Sequence, residues 1–326
     1  MANISVDYLG QELKSPLIVS SSGLTKNIDQ IVNAANFGAG AIVLKSLFEE
    51  QILFEAHKTI GQGHDYPEAI DYIKNYSRHN SVSEYLDLIK SARSEVDIPI
   101  IASINCVSDD EWVDFAREIE KAGAHALELN MHIVPSCANT KPTEIEETYF
   151  KIIEHIKPKL KIPIALKIGY NFTSLPWFIN QLKFRGINTF VLFNRFYEPD
   201  INIDTLHIVS SSVFSRDTDI KHSLRWVGLI SGLVEDIDIS ASTGIHDAAG
   251  VVKQILAGAK TVQLCSTLYQ NGMKTIETIN TELKEWMTEH KFNDLKEFRG
   301  KMSYNNIENP QVYERAQFMK YFSSLE

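Results

Sequence analysis

Residues 238–272 read DISASTGIHDAAGVVKQILAGAKTVQLCSTLYQNG, and this stretch decides the fold. It contains the end of one short apolar run, DIDIS (236–240), and the whole of another, TVQLCS (261–266). Small hydroxyl or glycine residues close each run, and a helical pattern follows at once. A turn from strand to helix exposes unpaired N–H groups, and the helix N-terminus adds about half a positive elementary charge. Phosphate groups bind at such turns.

Two such turns in succession predict a β-α-β-α unit with both anion-binding ends on one edge of a sheet. Asp247 stands where the N-cap of the first helix is expected. The alternative explanation is that the small residues only let helix and strand pack closely.

The alternation of apolar strands and amphipathic helices continues through the chain. The eight apolar segments are 17–22, 41–46, 98–105, 126–132, 162–169, 189–194, 236–240 and 261–266. They are continuous hydrophobic runs, as expected for strands that are buried on both faces. Eight strand-helix units predict an α/β fold, a (β/α)₈ TIM barrel that forms a single domain over residues 1–326. An open, doubly wound sheet is the alternative.

Composition narrows the function. The net charge of −10 argues against a nucleic-acid partner, which requires a basic face. Three scattered cysteines do not form a disulfide framework or a structural zinc site, and they suit a reducing compartment. No apolar run has the roughly 20 residues that span a bilayer, and the first residues are not a signal peptide. We therefore expect a cytoplasmic protein without a membrane or nucleic-acid partner, without a metal site, and with a small-molecule substrate.

Polar residues end most of the strands, and in a barrel these ends carry the active site. They are Ser21, Ser22, Gly23, Lys45, Ser46, Asn105, Asn130, Lys167, Asn194, Thr243, Gly244, Ser266 and Thr267. A single lysine there could extend to solvent, but two lysines and three asparagines at one mouth indicate a ligand. Loops after strands 7 and 8 commonly hold a phosphate. Amides and a lysine suit the polar edge of an isoalloxazine, whose reduced form carries negative charge.

Several segments, in order, resemble the dihydroorotate dehydrogenase family of flavin mononucleotide (FMN) barrels, in particular its soluble class. They are SPLIVSSSGLT (15–25), VLKS (43–46), ALELN (126–130), ALKI (165–168) and STGIHDAAGVVKQILAGAKTVQLCSTLY (242–269). VDYLGQELKSPL (6–17) resembles the hairpin that precedes the barrel in that class. The resemblance covers most of residues 1–275. It implies FMN, oxidation of dihydroorotate to orotate in pyrimidine biosynthesis, and a hydride transfer assisted by a base after strand 4. We also expect a homodimer.

The resemblance also implies residue roles. The phosphate would be held by Thr243, Gly244, Ser266 and Thr267, and the flavin ring by Ser22, Lys45, Asn130 and Lys167. From their positions at or beside the strand ends, we also expect cofactor contacts from Ser21, Gly23, Ser46, Asn105, Asn194 and Cys265. Asn194 matches a substrate-binding asparagine of the family, and we expect further substrate contacts from Lys45, Asn130 and Arg195. Three positions depart from the family: Thr243 replaces a usual second glycine, and Cys265 and Ser266 stand where glycine and threonine are common.

The substrate side departs further. The family's catalytic cysteine or serine lies at a spacing occupied here by Ile133, while the SCAN segment places Cys137 four residues later. We expect Cys137 to be the catalytic base, with Lys167 as the second catalytic residue. Cys137 could instead be an inert loop cysteine. The candidates for the base would then be His132 and three histidines of the long loop 47–80 after strand 2, His57, His64 and His79. This loop lacks the family's asparagine-rich signature.

Arg195 stands where the family usually has a small hydroxyl residue, and it could pair with a substrate carboxylate or with a loop glutamate such as Glu198. The long connections 47–80 and 195–222, after strands 2 and 6, are expected to be ordered lids, and the tail after residue 291 is expected to pack beneath the barrel. Because of these departures, dihydroorotate should react slowly, and a family member with an altered substrate is one alternative. Others are a flavin-free aldolase or isomerase that uses Lys45 or Lys167 on a sugar phosphate, and a flavin-binding barrel without a base.

Overall fold

The computed structural model describes residues 2–48, 67–105 and 110–315. Within these residues the strands are β1 Val6–Tyr8, β2 Gln11–Leu13, β3 Leu17–Val19, β4 Ala41–Val43, β5 Leu47–Phe48, β6 Ile100–Asn105, β7 Ala126–Asn130, β8 Ile164–Ile168, β9 Thr189–Leu192, β10 Pro199–Asn202, β11 His207–Ser210, β12 Asp238–Ser242 and β13 Thr261–Leu264. The α-helices span Ile28–Asn36, Pro67–Glu95, Asp110–Lys121, Pro142–Ile156, Leu175–Phe184, Ile220–Leu233, Ala248–Ala257, Ser266–Asn271, Thr275–Glu289 and Gln311–Glu314.

Eight parallel strands form a closed barrel, with a helix after each. Their order around the barrel is β4, β3, β13, β12, β9, β8, β7, β6, and a direct pairing of β4 with β6 closes the ring. The TIM barrel prediction is therefore confirmed, and the open sheet is excluded. The strands are almost entirely buried; all five residues of β7 and all five of β8 are buried. This explains why they read as continuous apolar runs.

The amino-terminal end of the barrel is covered by the hairpin and the tail. Strands β1 and β2 pair antiparallel through a turn at Leu9 and Gly10, as the family resemblance implied. In the tail, Phe298 is fully buried, and the backbone N–H groups of Gly300 and Met302 donate to the carbonyls of Ile255 and Leu256 at the end of a barrel helix. The prediction that the tail packs beneath the barrel is confirmed.

The long connections differ in part from the sequence prediction. The connection 47–80 begins with the short strand β5, and its last part, 67–80, is the start of helix Pro67–Glu95 rather than a loop. Proline suits the first helical position, where its missing N–H costs nothing. Residues 49–66, with His57 and His64, lie outside the described residues. The connection 195–222 carries the exposed hairpin β10–β11. In the described part of the chain, no helix is long and apolar enough to cross a bilayer.

Candidate active site

The two turns after β12 and β13 have the geometry expected of anion-binding turns. Asp247 caps the helix Ala248–Ala257, its side chain accepting from the Gly250 N–H at 2.7 Å. Thr243 and Gly244 both have φ +77°. A side chain at Gly244 would collide with the backbone of Ile220, where another barrel helix begins. The turn is therefore shaped by backbone packing, and glycine is needed at its second residue.

Ser215, from the connection 195–222, joins the two turns. Its N–H donates to Ser266 Oγ at 2.9 Å, and its Oγ accepts from the Gly244 N–H at 3.3 Å. The same Oγ lies 3.2 Å from Nε2 of His246. Thr267 is fully buried behind this group and donates to the His246 carbonyl at 3.1 Å. Backbone N–H groups, hydroxyls and an imidazole thus converge on one point at the carboxyl ends of β12 and β13.

A cavity of about 410 Å³ opens from this point across the mouth of the barrel. That volume lies within the range of ligand pockets. Its lining residues among those described are Ser20, Ser21, Lys167, Phe193, Asn194, Arg195, Val213, Phe214, Ser215, Ser242, Thr243, Gly244, Ile245, Gln263, Cys265, Ser266 and Tyr269.

Lys167 ends β8 inside the barrel and is held by a buried polar network. Its Nζ donates to Gln263 Oε1 at 3.1 Å and to Ser20 Oγ at 3.2 Å. It also lies 3.6 Å from Glu128 Oε1. The Gln263 amide donates to the other Glu128 oxygen, Oε2, at 2.6 Å. Because Lys167 also lines the cavity, the network fixes a cationic group at the cavity floor.

The remaining strand-end amides and serines lie close together. Asn194 donates to the side-chain oxygen of Asn130 at 2.6 Å. Ser46 joins Ser21 and Ser103, with Oγ–Oγ distances of 2.9 and 2.6 Å.

Other predicted residues flank these groups. Lys45 is half-buried, and its backbone N–H donates to the Thr25 carbonyl at 3.4 Å. Ser22 caps the turn Gly23–Thr25, and Asn105 is the half-buried last residue of β6.

Arg195 adopts the second of its two predicted arrangements. Its guanidinium donates to the carbonyl of Val213 and, at 2.8 Å, to that of Ser212. It also lies 3.8 Å from the carboxylate of Glu198. Arg195 therefore ties the segment before Ser215 to the end of β9, and it remains at the cavity wall.

The candidate bases lie apart from Lys167. Cys137 is exposed on the loop after β7 and does not line the cavity among the described residues. Hydrogen bonds from the Asn139 backbone and the Thr140 side chain lower the pKa of its thiol. His132 is half-buried with its ring against Phe196, at a centroid distance of 4.3 Å, and burial lowers its pKa. Ile133 donates its N–H to the Tyr149 hydroxyl at 3.1 Å.

The structure brings some predicted residues to the cavity and leaves others beside it. Those that line it are Ser21, Lys167, Asn194, Arg195, Thr243, Gly244, Cys265 and Ser266. Those that the lining does not include are Ser22, Gly23, Lys45, Ser46, Asn105, Asn130, Thr267 and Cys137. Sequence reasoning missed Ser20, Glu128, Gln263 and Ser215. The sequence does contain a signal for Glu128 and Gln263, because they are polar residues within apolar strands. It contains no signal that would place Ser215 at the site.

A closed barrel with small-residue turns after its last two strands and a buried lysine at the cavity floor defines a class: the (β/α)₈ barrels, in which these turns frequently hold a phosphate group. The family model of dihydroorotate dehydrogenase matches residues 3–287. The chain therefore belongs to the dihydroorotate dehydrogenase family, and the resemblance inferred from the sequence is confirmed.

Individual relatives agree with this assignment. The catalytic subunit of dihydroorotate dehydrogenase B (NAD(+)) from Thermoplasma acidophilum is 23% identical over 308 residues, which cover 92% of this chain and 99% of the relative. The corresponding subunit from Methanocaldococcus jannaschii is 22% identical over 301 residues, or 88% and 94% of the two chains. A crystal structure of a dihydroorotate dehydrogenase from Eimeria tenella in complex with ferulenol has a TM-score of 0.67 and 14% identity, and the match covers 91% of this chain and 88% of that one. The structural likeness shows the shared fold. The comparisons do not favour a flavin-free aldolase or isomerase.

Proposed function

We propose that this chain is an FMN-dependent dehydrogenase that oxidises dihydroorotate to orotate. The observation that carries the proposal is the joint arrangement of the anion-binding turns and the buried Lys167 around one cavity, in a chain of this family.

The residues present fit FMN. One phosphate group matches the donors at the end of β12 and β13: the Ser266 hydroxyl and the N-termini of two helices. The cradle at Gly244 has no room for a side chain. At the other end, Lys167 offers a positive charge to the polar edge of a flavin ring. The lining of one cavity by both groups suits a mononucleotide, since the sequence has no second glycine-rich fingerprint.

When bound, FMN would supply the hydride acceptor for this oxidation. The work of this chain is to orient the substrate, hold charge and remove a proton. Asn194 and Asn130, joined by their side chains at the mouth, present hydrogen-bonding groups to a planar ring. Lys167 stabilises negative charge that develops next to it. Cys137 takes the proton from the neighbouring substrate carbon as a thiolate, which requires that the loop after β7 close over the cavity.

The test is anaerobic stopped-flow spectroscopy of the purified protein after its cofactor has been identified by mass. We expect release of FMN and bleaching of the flavin band on mixing with dihydroorotate. Rates of about 1–10³ s⁻¹ would show that the departures at Ile133 and Arg195 are harmless, and slower reduction would assign them a cost. A folded protein that releases FAD or no flavin, or bound FMN that dihydroorotate leaves oxidised, would contradict the proposal.

The assembly and location also belong to this proposal. A homodimer is supported by the hairpin β10–β11, whose exposed apolar side chains include Ile201 and Ile208, because exposed apolar patches mark association surfaces. Light scattering of the purified protein tests it, and a monomer at micromolar concentration would contradict it. The acidic net charge and the few cysteines support a cytoplasmic protein without a nucleic-acid partner.

A further inference from the structure

A fully buried carboxylate lies beneath the active-site lysine, and the reaction outlined above does not use it. Glu128 is in the middle of β7 and is 1% exposed. Asn130 lies two residues further along the same strand, so the two side chains share one face. Glu128 therefore lies one layer deeper in the barrel than the amide at the mouth.

The contacts of Glu128 identify it as the counter-ion of Lys167. One oxygen, Oε2, accepts from the Gln263 amide at 2.6 Å. The other, Oε1, makes no hydrogen bond and lies 3.6 Å from Lys167 Nζ. Gln263 also accepts from Nζ with its own oxygen, so this one amide is clamped between the two charges and its orientation is fixed.

The other titratable groups near the pair do not replace this role. Tyr8 of the hairpin and Tyr85 of the helix Pro67–Glu95 are buried near Glu128, and burial, with the negative charge of Glu128, raises the pKa of both hydroxyls. Asp238, near Tyr8, is a further acid. On the cavity side, Cys265 faces Lys167, and burial raises the pKa of its thiol. Arg195 lies beyond Cys265 and is engaged by carbonyls.

Packing alone does not explain the pair. Two buried charges are often less stabilising than apolar residues of similar volume, whereas removing one partner leaves an uncompensated buried charge. A desolvated lysine without a counter-ion also tends to lose its proton. We propose that Glu128 is a positioning residue that holds Lys167 charged and directed at the cavity, so that the ammonium can stabilise negative charge on a bound flavin. The inference rests on the proposed flavin function.

The first measurement does not need a flavin. Nζ-detected NMR of isotope-labelled lysines follows the protonation of Lys167, whose signal is assigned by its absence in Lys167→Met. We expect Lys167 in Glu128→Gln to lose its proton at a pH at least one unit lower than in the wild type, which is a tenfold change in the proton equilibrium. In Glu128→Asp, which keeps the negative charge, Lys167 should lose its proton at nearly the same pH as in the wild type. Glu154→Gln, which removes a surface partner of Arg185, is the matched control and should change nothing.

The second measurement is the midpoint potential of bound FMN. At a pH between the two Lys167 transitions, where the ammonium persists in the wild type but is lost in Glu128→Gln, this substitution should lower the potential, because the reduced anionic flavin loses its neighbouring positive charge. This lowering should be absent in the Lys167→Met background. Unchanged protonation of Lys167 in Glu128→Gln, or an equal change of potential in both backgrounds, would overturn the inference. If the protein binds no flavin, the proposed function fails while the NMR titration still decides the role of Glu128. If Glu128→Gln does not fold, the NMR titration is made on Glu128→Asp. The double variant Glu128→Gln/Lys167→Met, which removes both charges, should then have a higher Tm than Glu128→Gln or Lys167→Met alone.

Discussion

The two ends of the cavity are built in different ways. At the phosphate end, short turns after β12 and β13 are fixed by backbone contacts, a capping carboxylate and the buried Thr267. At the proposed substrate end, the candidate base Cys137 is exposed on the loop after β7, and residues 49–66 lie outside the described part of the chain. The barrel itself fixes the proposed phosphate site, whereas the proposed proton transfer depends on a thiol that an exposed loop carries.

The largest expected effect tests the substrate end. If the loop after β7 delivers its thiol to the substrate, Cys137→Ala should slow flavin reduction by roughly 10²–10⁴-fold, the usual cost of losing a general base. FMN affinity should stay unchanged, because Cys137 lies away from the cavity lining. Stopped-flow reduction and a flavin titration measure the two quantities.

The neighbouring exposed Ser136 gives a matched control for this loop. Ser136→Ala should leave the reduction rate within a few-fold of the wild type, since it removes a hydroxyl of the same loop without the thiol. Equal rates for Cys137→Ala and the wild type would make Cys137 an inert loop residue and return the role of base to His132 or to the connection 47–80.

The next effect tests the phosphate end. Gly244 and Gly272 have nearly equal positive φ, +77° and +78°, but a Cβ at Gly244 would collide with backbone, whereas one at Gly272 would meet open space. Gly272→Ala should lower the free energy of unfolding by about 1–3 kcal/mol, the cost of holding a side-chain-bearing residue at φ +78° and ψ +170°, a conformation that essentially only glycine adopts. Gly244→Ala should cost about 3 kcal/mol more, because the backbone must move, and should weaken FMN binding. Denaturant titration and FMN binding distinguish the two; similar losses in both variants would mean that the turn is not rigid.

The same contrast explains what could be predicted from the sequence. The strand-turn-helix units and the cap at Asp247 follow from local patterns, because small residues, apolar runs and caps act within a few residues of one another. Ser215 could not be found this way. Its position depends on how a connection of nearly thirty residues folds back onto two turns, and length alone does not determine such a path.

Glu128 and Gln263 represent an intermediate case. A carboxylate in the middle of the apolar run ALELN must find a partner once both faces of the strand are buried. The partner, Lys167, comes from the adjacent strand, and Gln263 comes from across the barrel. The sequence thus indicates that a buried polar network exists, but only the barrel geometry identifies its members.

The smallest expected effect compares one thiol from each end of the cavity. Local hydrogen bonds lower the pKa of Cys137, whereas burial raises that of Cys265. Since the thiolate is the reacting form, alkylation of Cys137 should reach half of its maximal rate at a lower pH than an ordinary thiol, and that of Cys265 at a higher pH. At neutral pH we expect Cys137 to react faster by on the order of tenfold or more. Peptide-resolved mass spectrometry after brief iodoacetamide treatment measures each cysteine separately. The treatment is made at values from about pH 6 to about pH 10, which span the usual range of thiol pKa values. Because exposure also contributes to the difference at one pH, the midpoints of the two pH profiles are the decisive quantity. Coincident midpoints would mean that the loop around Cys137 does not hold its hydrogen bonds in solution, which would weaken the argument for Cys137 as the base.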